Sequence, residues 1–292
     1  MINVAYIGVI IIWTTTPLAI QWSSGEQVYM FAVTVRMAIG LALLGLIFAL
    51  MKYKFVYHKK AILTYILSGV SIFISMFLVY WGAQFIPSGW IAIIFGLSPI
   101  ITGVFTSLFF KEEFLSPIRL ISLFLAFIGL IIIFGHGTNL GEHAVWGIGA
   151  VLLSATTHAL AALLIKHTQA LISGVQITYG GLLIAVFLFA MTSLFNDALS
   201  AEYVTAFNWY AIIYLGVIAT AVGFPLYYFV LDKLDAIKVS MITLITPITA
   251  LLLGAMLNGE SLDTTVIVGA SMIVLGLTMY EYDKKIARLL FE

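Results

Sequence analysis

The fold this sequence predicts is an all-α membrane protein: ten transmembrane helices in two inverted five-helix repeats, with both N and C termini cytoplasmic. Three observations predict it. The 292 residues are 63% hydrophobic and 9% charged, whereas a soluble domain carries about 25% charged residues, so the chain cannot cover itself for water. Apolar stretches of about 20 residues, the length that crosses a hydrocarbon core, recur ten times between mostly short connectors. The chain also matches itself: a shift of 148 positions lays Tyr80 on Tyr228, Pro99 on Pro247, Ile100 on Ile248 and Glu112 on Glu260.

The same composition excludes several functions. Net charge is zero, which leaves nothing to steer nucleic acid. Cysteine is absent, so disulfides, thiolate chemistry and Cys-ligated metals are excluded. The expected partners are a lipid bilayer and a small-molecule substrate. No cofactor and no metal are expected, and the sequence leaves oligomeric state open.

The first repeat, 1–140, holds spans at 2–22, 29–51, 61–83, 87–110 and 117–135. Span one is too long for a signal-peptide core and lacks a basic leader, so it is a structural helix. It carries Thr14, Pro17 and Gln21 at i, i+3 and i+7. Span two carries Arg36, eight residues from Val28 and therefore about 12 Å along a helix. Span three has two faces. Phe77, Tyr80, Trp81 and Gln84 form an aromatic stripe with hydrogen-bonding tips, which fits either a substrate cavity or an interfacial belt. Ser68, Ser71, Ser75 and Gly82 form a small-residue face suited to close helix packing. Span four contains Pro99. Ser122 and Ala126 on span five hint at another packing seam.

The second repeat, 141–292, holds spans at 144–165, 174–195, 208–231, 237–257 and 264–281. Span six carries Ser154, Thr157 and His158, the one histidine deep in a span, and a seam at Gly147 and Val151. Imidazole donates, accepts and titrates near physiological pH; the alternative is a satisfied neighbour of an adjacent helix. No second ligand sits at metal spacing around it. Span seven offers Gln176 and Tyr179. Span eight places Tyr227 and Tyr228 after Pro225, and Tyr228 is the repeat partner of Tyr80, as two gates of one pathway would be. Span nine offers Ser240, Thr243 and Pro247, and span ten a seam at Gly269 and Ile273. Pro17, Pro99, Pro225 and Pro247 each free backbone carbonyls, tolerated in a membrane only when buried or lining a wet cavity. They are hinges around a central cavity or simple kinks.

Lys52, Lys54, Lys59, Lys60, Lys111, Arg119, Lys166, Lys233, Lys238, Lys284, Lys285 and Arg288 all fall in even-numbered loops or the C-terminal tail. The odd-numbered loops hold Glu26, Glu142, Asp197, Glu202, Glu260 and Asp263 instead. The positive-inside rule therefore puts both termini in the cytoplasm. Five spans per half make the second half inverted relative to the first, the arrangement of alternating-access carriers with a midplane site between halves.

The sequence "WTTTPLA" (13–19) in span one, the mid-helix prolines of "LSPIITGVFTSLFFKEE" (97–113) and "ITPITALLLGAMLNGE" (245–260), and the closing Gly259–Glu260 resemble the drug/metabolite transporter superfamily, specifically its EamA-type members. The fourth span departs from the pattern with Lys111–Glu112 where glycine-glutamate is usual. The resemblance spans nearly the whole chain and implies a carrier of small metabolites, often amino acids and commonly exported.

Arg36 is the one Lys/Arg outside the lysine-bearing loops. Inserting it costs about 2.5–3.5 kcal/mol, and no Asp or Glu lies deep in a span to offset this. Its partners are proline-freed carbonyls, Thr, Gln or Tyr side chains, or a ligand carboxylate held by the guanidinium fork. A structural or gating role fits equally. The expected function is export or facilitated passage of a neutral or aromatic amino acid across a cell inner membrane, with Arg36, Thr14, Tyr80, Trp81, Gln84, His158, Tyr227, Tyr228, Ser240 and Thr243 contacting substrate. Without a pathway acid, facilitated diffusion or exchange is expected, with His158 as the fallback coupling group. The alternatives are import of a nucleoside- or cofactor-like metabolite and export of toxic cations. A remote alternative, an intramembrane enzyme, would have to use Ser154 and His158.

Overall fold

A computed structural model of the chain describes residues 2–25, 27–110, 116–136, 143–195, 201–234, 236–283 and 285–286. Glu26, Lys111, Glu112, Glu142, Asp197, Lys284 and Arg288 lie outside them, as do the side chains of Lys238, Ser240 and Thr243. Helices account for the regular structure, with no strand among the described residues. In order they are α1 (Ile2–Ser23), α2 (Tyr29–Leu50), α3 (Lys59–Gly82), α4 (Ser88–Gly96), α5 (Ser98–Phe110), α6 (Pro117–His136), α7 (Ala144–Thr168) and α8 (Gly174–Phe195). There follow α9 (Ala206–Tyr214), a π-helical segment (Leu215–Gly223), α10 (Phe224–Lys233), α11 (Ala236–Asn258) and α12 (Thr264–Glu281).

Among the described residues, seven helical stretches are long and apolar enough to cross a membrane: Ile2–Ser23, Tyr29–Leu50, Lys59–Gly82, Ser88–Phe109, Ala144–Thr168, Gly174–Ser193 and Ala206–Lys233. Three more apolar helices are shorter within the described residues, at Pro117–Gly129, Thr246–Asn258 and Thr264–Tyr280.

The four prolines expected as hinges, of six in the chain, act in two ways. Pro17 and Pro247 sit inside the unbroken helices α1 and α11. Pro99 and Pro225 mark interruptions. Proline has no N–H to give the carbonyl four residues back and its ring crowds that carbonyl. At Pro99 the orphaned acceptor is the Phe95 carbonyl, and the Ser98 hydroxyl donates to it at 2.6 Å in place of the missing amide. Helix α4 stops one residue short of α5 at this point, at Leu97. Ahead of Pro225, which follows at the second position of α10, the backbone runs in the wider π register from Leu215 to Gly223. Such a bulge accommodates the helix interruption without exposing its backbone to lipid.

Small residues bring the helices together, as expected where lipid removes any hydrophobic drive for association. A Cβ on Gly82 would meet the Gly147 carbonyl at 2.8 Å, and one on Gly147 would meet the Gly82 carbonyl at 2.9 Å, so α3 and α7 touch backbone to backbone. The same contact brings Val151 against Gly82. Ser75 and Ser154 hydroxyls lie 2.7 Å apart across this seam, and Ser154 donates to the Ser75 carbonyl. Cross-helix bonding, rather than bonding to its own helix, therefore accounts for Ser154. On α6 and α12, Ser122 and Ala126 pack on Gly276, and Gly269 and Ile273 pack on Gly129. Arg119 Nε pairs with Asp283 at 3.0 Å at one end of this pair of helices.

Candidate functional site

Helix α2 buries Arg36 to 2% exposure. Its Nε donates to Thr220 Oγ1 at 3.0 Å, and Nη1 donates to the Tyr80 hydroxyl at 3.4 Å. The guanidinium carbon also lies 5.8 Å from the centre of the Tyr80 ring. Two hydroxyls thus take two of the five N–H donors, and the other three have no partner among the described residues. Thr220 reaches the arginine from the π segment, and Gly216, one turn earlier, packs against the Arg36 carbonyl. Nothing in the sequence pattern singled out Thr220. Pro225 five residues on was the available signal that the local register would change.

A second group gathers four helices. The Trp13 ring of α1 lies 4.8 Å from that of Tyr227 on α10 and 6.1 Å from His158 on α7. His158 lies 5.5 Å from Tyr227 and 6.3 Å from Phe95 at the end of α4. Tyr227 and Tyr228 rings are 5.4 Å apart. Tyr228 is buried and its hydroxyl is within 3.1 Å of Ser68 Oγ on α3. The small-residue face of α3 therefore has a polar task as well as a packing one.

The polar run after Trp13 fastens α1 to the second half of the chain. Thr14 Oγ1 lies 2.8 Å from Thr249 Oγ1 on α11, and Thr15 Oγ1 lies 2.5 Å from the Tyr214 hydroxyl on α9. Thr16 turns back on the Ile12 carbonyl at 2.6 Å. Such exchangeable hydroxyl pairs satisfy each other without charge.

The aromatic stripe of α3 divides. Tyr80 faces Arg36, and Phe77 packs on Tyr29 and Phe73. The Trp81 ring meets Phe85 edge-on at 5.1 Å, and the Gln84 amide donates to the Trp81 carbonyl at 3.2 Å. Neither makes a described contact with Arg36 or with the group around Trp13. Gln176 bonds Ser173 and the Lys54 carbonyl, and Tyr179 stacks on Phe48 at 4.6 Å. These two belong to a separate aromatic collar near the 51–58 connector, which carries Lys52 and Lys54. Among the described residues no cluster of three metal-ligating side chains occurs.

Comparison with known proteins agrees with this architecture. The EamA-like transporter family matches residues 1–135 and 145–281. The chain is similar to the uncharacterized transporter YoaV of Bacillus subtilis, 26% identical over 280 residues, 94% of each chain. It is also similar to Protein PagO of Salmonella typhimurium, 23% identical over 265 residues, 90% of this chain and 87% of that one. An uncharacterized transporter of Archaeoglobus fulgidus is 24% identical over 202 residues, 67% of this chain and 68% of that one. A solved crystal structure superposes with a TM-score of 0.69 over 96% of either chain at 16% identity, a likeness of fold. Matched over both halves, the chain belongs to the EamA-like transporter family and is a multi-pass membrane transporter, not an enzyme.

Proposed function

We propose that the protein moves small amphipathic metabolites, neutral and aromatic amino acids above all, across a cell inner membrane. It does so as an exporter or facilitator working by alternating access between two inverted five-helix repeats, residues 1–140 and 141–292. The observation that carries this is the presence in one bundle of an aromatic group, Trp13, Phe95, His158 and Tyr227, and of a buried arginine held by two hydroxyls and by no carboxylate among the described residues. Rings take the side chain, and the guanidinium takes the carboxylate. Thr14, Tyr80, Trp81, Gln84, Tyr228, Ser240 and Thr243 are the further substrate contacts of this reading. Pro17, Pro99, Pro225 and Pro247 are the hinges. No coupling ion is required, and transport follows the substrate's own gradient.

Packing supports the ten-span, two-repeat reading. The seven long helices and three shorter ones supply ten spans, and the partnerships are reciprocal. Helix α3 packs on α7 and α8, while its counterpart, the rod Ala206–Lys233, packs on α1 and α2. Helix α1 packs on α11 as α7 packs on α5, and α6 on α12 maps onto itself. The lysine distribution supports cytoplasmic termini.

A second reading, export of flat cations, is favoured by the same rings, since stacked aromatics hold cations without a carboxylate. Thermal stabilisation of the detergent-solubilised protein separates the two. A ligand at 100 times its Kd adds about 2.7 kcal/mol to the folded state. Stabilisation by aromatic amino acids that disappears in Arg36→Ala is the expected result. Stabilisation by cationic dyes or nucleosides that survives Arg36→Ala would displace the amino-acid reading.

A further inference from the structure

Helix α11 ends on Asn258, and Gly259 follows with φ of +64°, a left-handed conformation that costs glycine little. This turn folds Glu260 back over the helix N-terminus of α4. Oε1 accepts from the Ser88 amide at 3.0 Å and the Ser88 hydroxyl at 2.6 Å, and Oε2 accepts from the Gly89 amide at 3.2 Å. A carboxylate on the positive end of a helix dipole is held by charge as well as by its hydrogen bonds. The contact continues sideways. Asn258 Nδ2 donates to Glu260 Oε1 at 3.0 Å, Trp22 Nε1 donates to Asn258 Oδ1 at 3.0 Å, and Asn208 Nδ2 donates to the Trp22 carbonyl at 2.7 Å. One connected set of bonds therefore ties the ends of α1, α4, α9 and α11 together at a single rim.

We propose that Glu260 is the positioning residue of the gate at this rim: its carboxylate clasps α4 while the rim is closed and must let go each time the rim opens. The repeat makes this clasp one-sided. Shifted by 148 positions, Glu260 has a counterpart in Glu112, but Gly259 maps to Lys111, Ser88 to Ala236 and Gly254 to Thr106. The counterpart set lacks the glycine turn and the serine hydroxyl. On the Glu260 side a Cβ at Gly254 would collide with the carboxylate, and the position matched to Gly254 is a threonine, Thr106. One rim carries a charged clasp whose glycine and serine the sequence does not repeat in the other half, and with that clasp fastened the protein rests with the Glu260 rim shut. The inference is independent of which solute is carried.

The cysteine-free sequence allows a direct test. Ser23 is fully buried in the last turn of α1, beside Trp22, and bonds only its own helix, so Ser23→Cys reports on this rim. Ser122→Cys, fully buried between α6 and α12, is the control. Both are labelled in membrane vesicles with an impermeant maleimide. Glu260→Gln and Gly254→Ala, which weaken the clasp from opposite sides, are each expected to speed labelling at Ser23→Cys about tenfold, a shift of 1.4 kcal/mol, with Ser122→Cys unchanged. Glu260→Asp, which keeps the charge on a shorter arm, falls in between. Unchanged labelling at Ser23→Cys, or equal acceleration at both reporters, would overturn the proposal, the second because it signals general loosening.

Discussion

Arg36 was conspicuous in the sequence because a permanent cation in an apolar stretch has to be accounted for by something. Its candidate partners, Thr, Gln or Tyr side chains among them, follow from the absence of a membrane-embedded acid, and two of those types hold it: Tyr80 and Thr220. Their identities did not follow from the sequence. A hydroxyl 184 residues away leaves no local pattern, and only the packed bundle brings it near. Hydrogen bonds across membrane helices are worth about 0.6–2 kcal/mol each, so neither hydroxyl alone should hold the fold together. Thr220→Val and Tyr80→Phe are each expected to lower stability by about 1 kcal/mol, measured by thermal unfolding in detergent. Arg36→Lys retains the charge but reaches only one hydroxyl at a time. Its transport rate is expected to fall at least tenfold with the fold intact; full transport by this variant would remove the two-hydroxyl cradle from the mechanism.

Helices were the most legible level. The apolar stretches of the sequence coincide with helices to within a few residues, and among the described residues seven of these are long and apolar enough to cross a membrane. Small residues located the seams between α3 and α7 and between α6 and α12. The α3 stripe was less legible. Spacing places Tyr80, Trp81 and Gln84 on one face, but α3 ends at Gly82: Trp81, in its last turn, packs on Phe85 of the connector, and Gln84, already on the connector, folds back on the Trp81 carbonyl. Proline positions signalled interruptions without saying which kind. At Pro225 the interruption is a π segment, and its extra backbone width sets the direction of Thr220. Pro225→Ala restores the missing amide, so the segment should tighten toward α register and turn Thr220 away from Arg36. The expected outcome is a transport loss no smaller than that of Thr220→Val, and a Pro225→Ala, Thr220→Val double variant no worse than either single one. Additive losses would show that the two residues act separately.

At the scale of the molecule, the two halves interlock rather than sit side by side. Helix α1 contacts α9, the π segment, α10 and α11, so its Trp13, Thr14 and Thr15 join the first half to the second at three points. The sequence leaves no local mark of this interlocking, because Trp13, Thr14 and Thr15 meet residues about 200 or more positions away. The orientation argued from lysines is checked with the cysteine-free chain. Cysteines introduced at Tyr57, in the connector of the lysine cluster, and at Tyr203, in the connector before α9, are both exposed. Impermeant reagent added outside intact cells is expected to modify the second and spare the first; the reverse pattern would invert the protein in the membrane.

The distance along the chain between Arg36 and Thr220 also bears on how the protein is made. Translation proceeds at about 5–20 residues per second, so the 184 residues separating the two take roughly 10–40 s to synthesise. Tyr80 follows Arg36 by only 44 residues. For most of its own biogenesis, then, α2 enters the bilayer with a cation that has at best one of its two final partners. The roughly 2.5–3.5 kcal/mol that Arg36 costs in a bilayer is offset by both hydroxyls only after the ribosome has delivered the π segment that carries Thr220.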